Sequence, residues 1–252
     1  MSSPQPPALA GKSALITGAA RRVGAAIARA LHGAGANVVV HFRSSAESAG
    51  ELAHELNEAR PDSAVLAECD LLDLTQLPAL AEVATRAFGG LDILVNNAST
   101  FYPTPMGDVT EIDWNDLIGT NLKAPLFLSQ AAASALHSRN GLILNVADIH
   151  GMRPLRRHPV YSVAKAGLIM LTKSLARELG PHVRVNAIAP GPVMWPEDGM
   201  DSELKEEIVG KTALKRPGSE QDVARAALFF ASEAPYVTGQ ILAVDGGRSV
   251  GW

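Results

Sequence analysis

Cysteine is nearly absent from this chain: Cys69 stands alone among 252 residues, which excludes an intramolecular disulfide and any cysteine-rich metal site. Such usage suits a reducing compartment. No apolar run approaches the roughly 18 residues that span a bilayer, so no membrane association is expected. A basic excess is missing too. The 22 Lys and Arg stand against 26 Asp and Glu, a net charge of −4. Nothing in that balance neutralises a phosphate backbone, and nucleic acid is not an expected partner. The 7 histidines are scattered and mark no metal site. Residues 1–10, MSSPQPPALA, have neither the basic start nor the apolar core of a signal peptide. They read as a loose tail, and the cytoplasm is the expected location.

With 47% hydrophobic residues the chain can bury a sizeable core. Seven short apolar runs are candidate strands: Ser13–Thr17, Asn37–Phe42, Ala64–Cys69, Leu91–Asn96, Leu142–Ala147, Val183–Ala189 and Gln240–Asp245. Most are apolar throughout rather than alternating, as strands buried on both faces are. Helical patterns lie between them at Val23–Gly33, Ser45–Ala59, Asp73–Ala87, Glu111–Leu136 and Tyr161–Leu179. This alternation predicts a single α/β domain over 11–252, a doubly wound and mostly parallel sheet with helices on both faces. The Pro/Gly-rich segment Ala189–Gly199 follows a strand's carboxyl end, where ligands bind in such sheets.

Directly after the first strand comes Thr17-Gly18-Ala19-Ala20-Arg21-Arg22-Val23-Gly24. Gly18 permits a tight turn, small Ala19 and Ala20 let backbone N–H groups approach a pyrophosphate, and Gly24 lets the helix pack close. The second strand ends in His41-Phe42-Arg43-Ser44-Ser45, without the acid that accepts from a ribose 2′-OH. Arg43 stands where a 2′-phosphate would sit, with Arg21 and Arg22 adding charge, so NADPH/NADP+ is the expected cofactor. Ser44 also reads as a helix cap, with Glu47 completing a capping box. Tyr161 and Lys165 lie four apart on one helix face, where the ammonium is expected to favour phenolate.

These residues resemble the short-chain dehydrogenase/reductase family from about Gly11 to Gly247, through TGAARRVG, Asp70, NNAS (Asn96–Ser99), Asn121, YSVAK (Tyr161–Lys165), PG (Pro190–Gly191) and VTGQ…VDGG. The resemblance implies a Rossmann-type sheet of about seven strands and a homotetramer or homodimer, of which the homotetramer is the expectation. It makes Tyr161 the proton donor, Lys165 its electrostatic partner and ribose ligand, and Asn121 a helper in a proton relay. Cofactor contacts are implied at Gly18, Arg21, Arg22, Val23, Gly24, His41, Arg43, Ser44, Asp70, Leu71, Asn97, Ala98, Tyr161, Lys165, Pro190 and Gly191.

Two positions depart from the family pattern. Arg22 takes the place of the middle glycine in TGxxxGxG, and Asp148 takes that of the serine thirteen residues before the tyrosine. A carboxylate cannot polarise a carbonyl as a hydroxyl does, but a carboxylic acid can protonate a ring nitrogen. Both departures resemble the pteridine reductase subgroup and its relative dihydromonapterin reductase. That resemblance implies a pterin or folate substrate stacked on Phe101, with contacts from Arg22, Ser99, Asp148 and Tyr161. Trp195 either covers the substrate or packs against another subunit. Asp148, Tyr161, Lys165 and Asn121 are the expected catalytic residues. The competing readings are a carbonyl reductase of the 3-oxoacyl-thioester or sugar/steroid type, which wants serine at 148, and a non-catalytic NADP(H) sensor, which needs no proton relay.

Overall fold

The computed structural model describes residues 6–193 and 201–251. Its strands are β1 (Ser13–Ile16), β2 (Asn37–Phe42), β3 (Ala64–Glu68), β4 (Ile93–Asn96), β5 (Leu142–Val146), β6 (Arg184–Pro190) and β7 (Ile241–Val244). They form one sheet in the order β3-β2-β1-β4-β5-β6-β7. Every pairing is parallel, so the sheet expected to be mostly parallel is wholly so among the described residues.

The helices are α1 (Arg22–Gly33), α2 (Ala46–Ala59), α3 (Leu77–Ala87), α4 (Glu111–Ile118), α5 (Ala124–Ser138), α6 (Pro159–Glu178), α7 (Ser202–Gly210) and α8 (Glu220–Ser232). Because strand side chains alternate, each strand feeds two cores. Ile16, Val38, Val40 and Val95 pack beneath α1, α2 and α8. Leu15, Val39, Leu94 and Ile143 pack beneath α3 and α5. Both neighbours of every step are therefore apolar, and the strands read as unbroken hydrophobic runs.

The stretch read as one helix over Glu111–Leu136 is interrupted by a π turn at Gly119–Lys123. Pro125 has no N–H to donate to the carbonyl of Asn121, four residues earlier, as a continuous α-helix would require. Helices α7 and α8 were not among the helical patterns. For α8 a signal existed: Ser219 and Asp222 form a capping box just ahead of Val223. The expectation of a loose tail over residues 1–10 is corrected where it is described. Leu9 is buried and its N–H donates to Ala34 O at 2.8 Å, an apolar anchor on the end of α1. No helix among the described residues is long and apolar enough to cross a membrane.

Candidate active site

At the carboxyl end of β1 the chain turns into α1 around a cleft of roughly 340 Å³. Gly18 has φ +59°, and a Cβ there would come within 3.0 Å of Ala98 Cα. A Cβ on Gly24 would lie 2.2 Å from Gly18 O, so the helix start can approach the turn only as glycine. Asn97 Nδ2 donates to Thr17 O and Gly18 O at 2.9 and 3.0 Å, and Thr17 Oγ1 accepts from Asn97 N and Ala98 N. The Asn97 amide is thus committed to holding the turn. Arg22 has φ +55°, the left-handed region for which its place in the family pattern ordinarily carries glycine. A side chain there costs on the order of 1–2 kcal/mol.

The cleft gathers most residues expected to meet a cofactor: Gly18, Arg21, Arg22, Val23, Gly24, His41, Arg43, Ser44, Asp70, Leu71, Asn97 and Ala98. It also takes in Phe42, Ser45, Thr100 and Thr120, which the sequence reading passed over. Arg21 donates through Nε to Ser48 Oγ at 2.9 Å. The capping box expected at Ser44 and Glu47 is not formed. Helix α2 begins one residue later, Ser45 takes the N-cap without a side-chain bond, and Glu47 falls one place short of the third helical position.

His41 is buried, and both its ring nitrogens are engaged. Nδ1 accepts from Gly18 N at 3.0 Å, so Nε2 carries the proton and donates to Cys69 O at 3.1 Å. Burial drives its pKa down to about 4, against smaller opposing effects of the Cys69 bond and Asp70. One neutral imidazole therefore ties the glycine turn to the ends of β2 and β3.

Asp148, Tyr161 and Lys165 meet beyond β5. The Tyr161 phenol donates to Asp148 Oδ2 at 2.8 Å, while Asp148 Oδ1 accepts from His150 N at 2.7 Å. Lys165 is buried, its Nζ donating to Val146 O at 3.0 Å and lying 5.6 Å from the Tyr161 ring centroid. Burial lowers its pKa to about 8, and the Asp148 charge opposes that. The expectation that Lys165 favours phenolate is overturned in this arrangement. Burial, and then the Asp148 charge and hydrogen bond, push the Tyr161 phenol well above its ordinary value. Asn121, on the π turn, donates to Thr100 O and Leu117 O and accepts from Ser99 Oγ. Such turns concentrate at functional sites.

Phe101 is 50% exposed. Its ring meets Tyr161 edge-on at 4.8 Å and lies parallel to His158 at 4.7 Å, with 9° between planes. Outside the lining of the cleft, Gly191 lies against β7, where a Cβ would meet Asp245 Cβ at 2.6 Å, and its N–H donates to Val244 O. Pro190, the last residue of β6, precedes it. Trp195 lies outside the described residues. Among them, no group of three or more His, Cys, Asp or Glu side chains could hold a metal ion.

A glycine turn at a strand end, a buried lysine one turn beyond a tyrosine, and a seven-stranded parallel sheet now stand together. The profile of the family described as enoyl-(acyl carrier protein) reductase matches residues 18–249. A 3-oxoacyl-[acyl-carrier-protein] reductase of Staphylococcus aureus is 37% identical, over 94% of this chain and 97% of its own. Pteridine reductase 1 of Leishmania tarentolae is 35% identical, over 94% and 96%. The crystal structure of a provisionally assigned short-chain alcohol dehydrogenase from Sinorhizobium meliloti 1021 superimposes with a TM-score of 0.92 at 35% identity, covering 97% of this chain and 98% of that one. The chain belongs to the short-chain dehydrogenase/reductase family. It is an oxidoreductase of the kind that uses a nicotinamide cofactor. The cleft fits such a dinucleotide: the glycine positions leave backbone at its wall, and the first turn of α1 carries no acid to repel a pyrophosphate.

The brace at His41 has a pH signature. Its folded pKa lies below the ordinary 6.5, so between about 4 and 6.5 the unfolded chain binds more protons and stability rises with pH. The contribution is fully present above pH 6.5 and lost as pH falls toward 4, reaching about 2 kcal/mol of loss by pH 5. His41→Gln keeps one acceptor and one donor but cannot titrate. Urea unfolding at pH 7.5 and 5 should therefore show a smaller acid loss for the variant; parallel losses would refute this role.

Proposed function

We propose that this oxidoreductase transfers a hydride from NADPH to a pterin, giving the tetrahydro form of a dihydrobiopterin, dihydromonapterin or dihydrofolate-like substrate. The observation that carries this reading is the Asp148 carboxylate bonded to the Tyr161 phenol at 2.8 Å, edge-on beneath the half-exposed ring of Phe101. Phe101 offers an aromatic platform on which a flat heterocycle stacks. The acid beside the phenol suits protonation of a ring nitrogen better than polarisation of a carbonyl.

NADPH, when bound, supplies the hydride. Arg22, on its left-handed turn, and Ser99 help to orient the ring, and the hydrogen-bonded pair of Asp148 and Tyr161 delivers a proton to the nitrogen beside the reduced carbon. Tyr161 holds the hydrogen bond through which that proton is restored. Lys165, four residues along, offsets the carboxylate and would hold the ribose of the bound cofactor. Asn121 fixes the strand end through Thr100 and Ser99. The second reading, a 3-oxoacyl-thioester reductase, is favoured by the 37% identity to the staphylococcal enzyme. Assembly as a homotetramer is supported by β7, an edge strand with Leu242 exposed, and by Val163 and Met170 exposed seven apart on α6.

Three measurements bear on these statements. NADPH oxidation should proceed with a dihydropterin, and Asp148→Asn should lower that turnover by about 10²–10⁴-fold with little change in NADPH affinity. Turnover of an acetoacetyl thioester alone would return the second reading to first place. Arg43, exposed at the end of β2, pairs with no acid among the described residues. Arg43→Ala should weaken NADPH by about 1.5–3 kcal/mol while sparing NADH, and equal losses would remove the case for NADPH. Light scattering should give the mass of four chains; a monomer at micromolar concentration would rule out the assembly.

A further inference from the structure

Between Asp148 and Tyr161 the segment 149–158 reads IHGMRPLRRH: three arginines, two histidines and no acid, in a chain of net charge −4. The arginines are not equivalent. Arg153 is tied down, its Nη1 donating to Gly251 O at 2.8 Å. Arg156 and Arg157 are exposed, and among the described residues neither guanidinium pairs with a carboxylate.

Their backbone, by contrast, is held against the wall that carries Phe101. Arg157 has φ +67°, unfavourable for a residue with a Cβ, and its carbonyl accepts from Thr104 N at 2.7 Å. The Arg156 carbonyl accepts from His158 Nδ1 at 2.9 Å, and the His158 ring lies flat on Phe101. Consecutive Cα atoms are about 3.8 Å apart, so both arginines start within two residue steps of His158, whose ring stacks on Phe101. Long, charged side chains rooted there, exposed beside the platform, are suited to groups that extend from a stacked ring.

We propose that Arg156 and Arg157 form a subsite for an anionic tail, so that the preferred substrate is a dihydropterin bearing a carboxylate or phosphate rather than a neutral polyol. This rests on the reading of Phe101 as a pterin platform. Guanidinium forks match both anions with paired, charge-assisted bonds. The left-handed backbone at Arg157 belongs with this role, since a strained conformation held by a hydrogen bond and a ring stack fixes the side chain's origin.

The test compares dihydrofolate, with its glutamyl carboxylates, dihydroneopterin phosphate, and dihydrobiopterin, whose side chain is neutral. Arg156→Gln/Arg157→Gln should raise KM for the anionic substrate about tenfold, with kcat held within about twofold and dihydrobiopterin kinetics unchanged. Whichever anion shows the larger effect identifies its source. Wild-type KM for that substrate should rise with added salt, and the variant's should not. Arg157→Gly removes the charge while relieving the backbone, so a raised KM in a fully folded protein is expected there. Arg157→Lys should restore part of the loss. Equal changes for charged and neutral substrates, or none, would overturn the subsite. If the wild type consumes no pterin at all, the underlying reading fails and the subsite with it, an outcome distinct from equal changes.

Discussion

Between β1 and β4 the sheet reverses the direction in which strands are added, and the helices that follow those strands part to opposite faces. A cleft at the two carboxyl ends is the geometric result. The floor of that cleft is closed by Thr17 and Asn97, whose backbone and side chains bond one another across the reversal. Everything else takes its place from there. The glycine turn has to be thin because Ala98 stands behind it, and Gly24 has to be bare because the turn's own carbonyl does.

Charge is the second constraint. Lys165 is buried with a backbone carbonyl as its hydrogen-bond partner, and burial works against its ammonium. Its nearest compensation is Asp148, which also takes the proton end of the Tyr161 hydrogen bond. A buried cation and an anion beside one phenol constrain where a proton can sit. The same economy appears at Arg22 and Arg157, two arginines in backbone conformations that glycine adopts more easily. Functional sites collect such strain where surrounding bonds can hold it.

Much of this was legible in the residues. Strands buried on both faces leave continuous apolar runs, so all seven were found within two residues at each end. The residues that line the cleft were easy to group because its parts are consecutive in sequence, as in Thr17–Gly24 and Asn96–Ser99. What depends on three dimensions was not. The direction of the Tyr161 shift is set first by burial and then by Asp148, thirteen residues away, and spacing on a helix says nothing of either. His158 gave no sign of its stack, because the Phe101 loop reaches it only through the fold. The break at Asn121 was present in the text as Pro125, and α8 as Ser219 and Asp222, but neither belongs to an apolar period.

The sole thiol has a consequence of its own. Cys69 lies buried where β3 meets the cofactor cleft, its carbonyl held by His41, and burial together with Asp70 and Asp73 raises its pKa. Oxidants and electrophiles attack the thiolate, and this sulfur is neither ionised nor within reach. The protein spends reducing equivalents without owning a cysteine that reports on them. Its one cysteine therefore offers oxidants and electrophiles no handle beside the cleft.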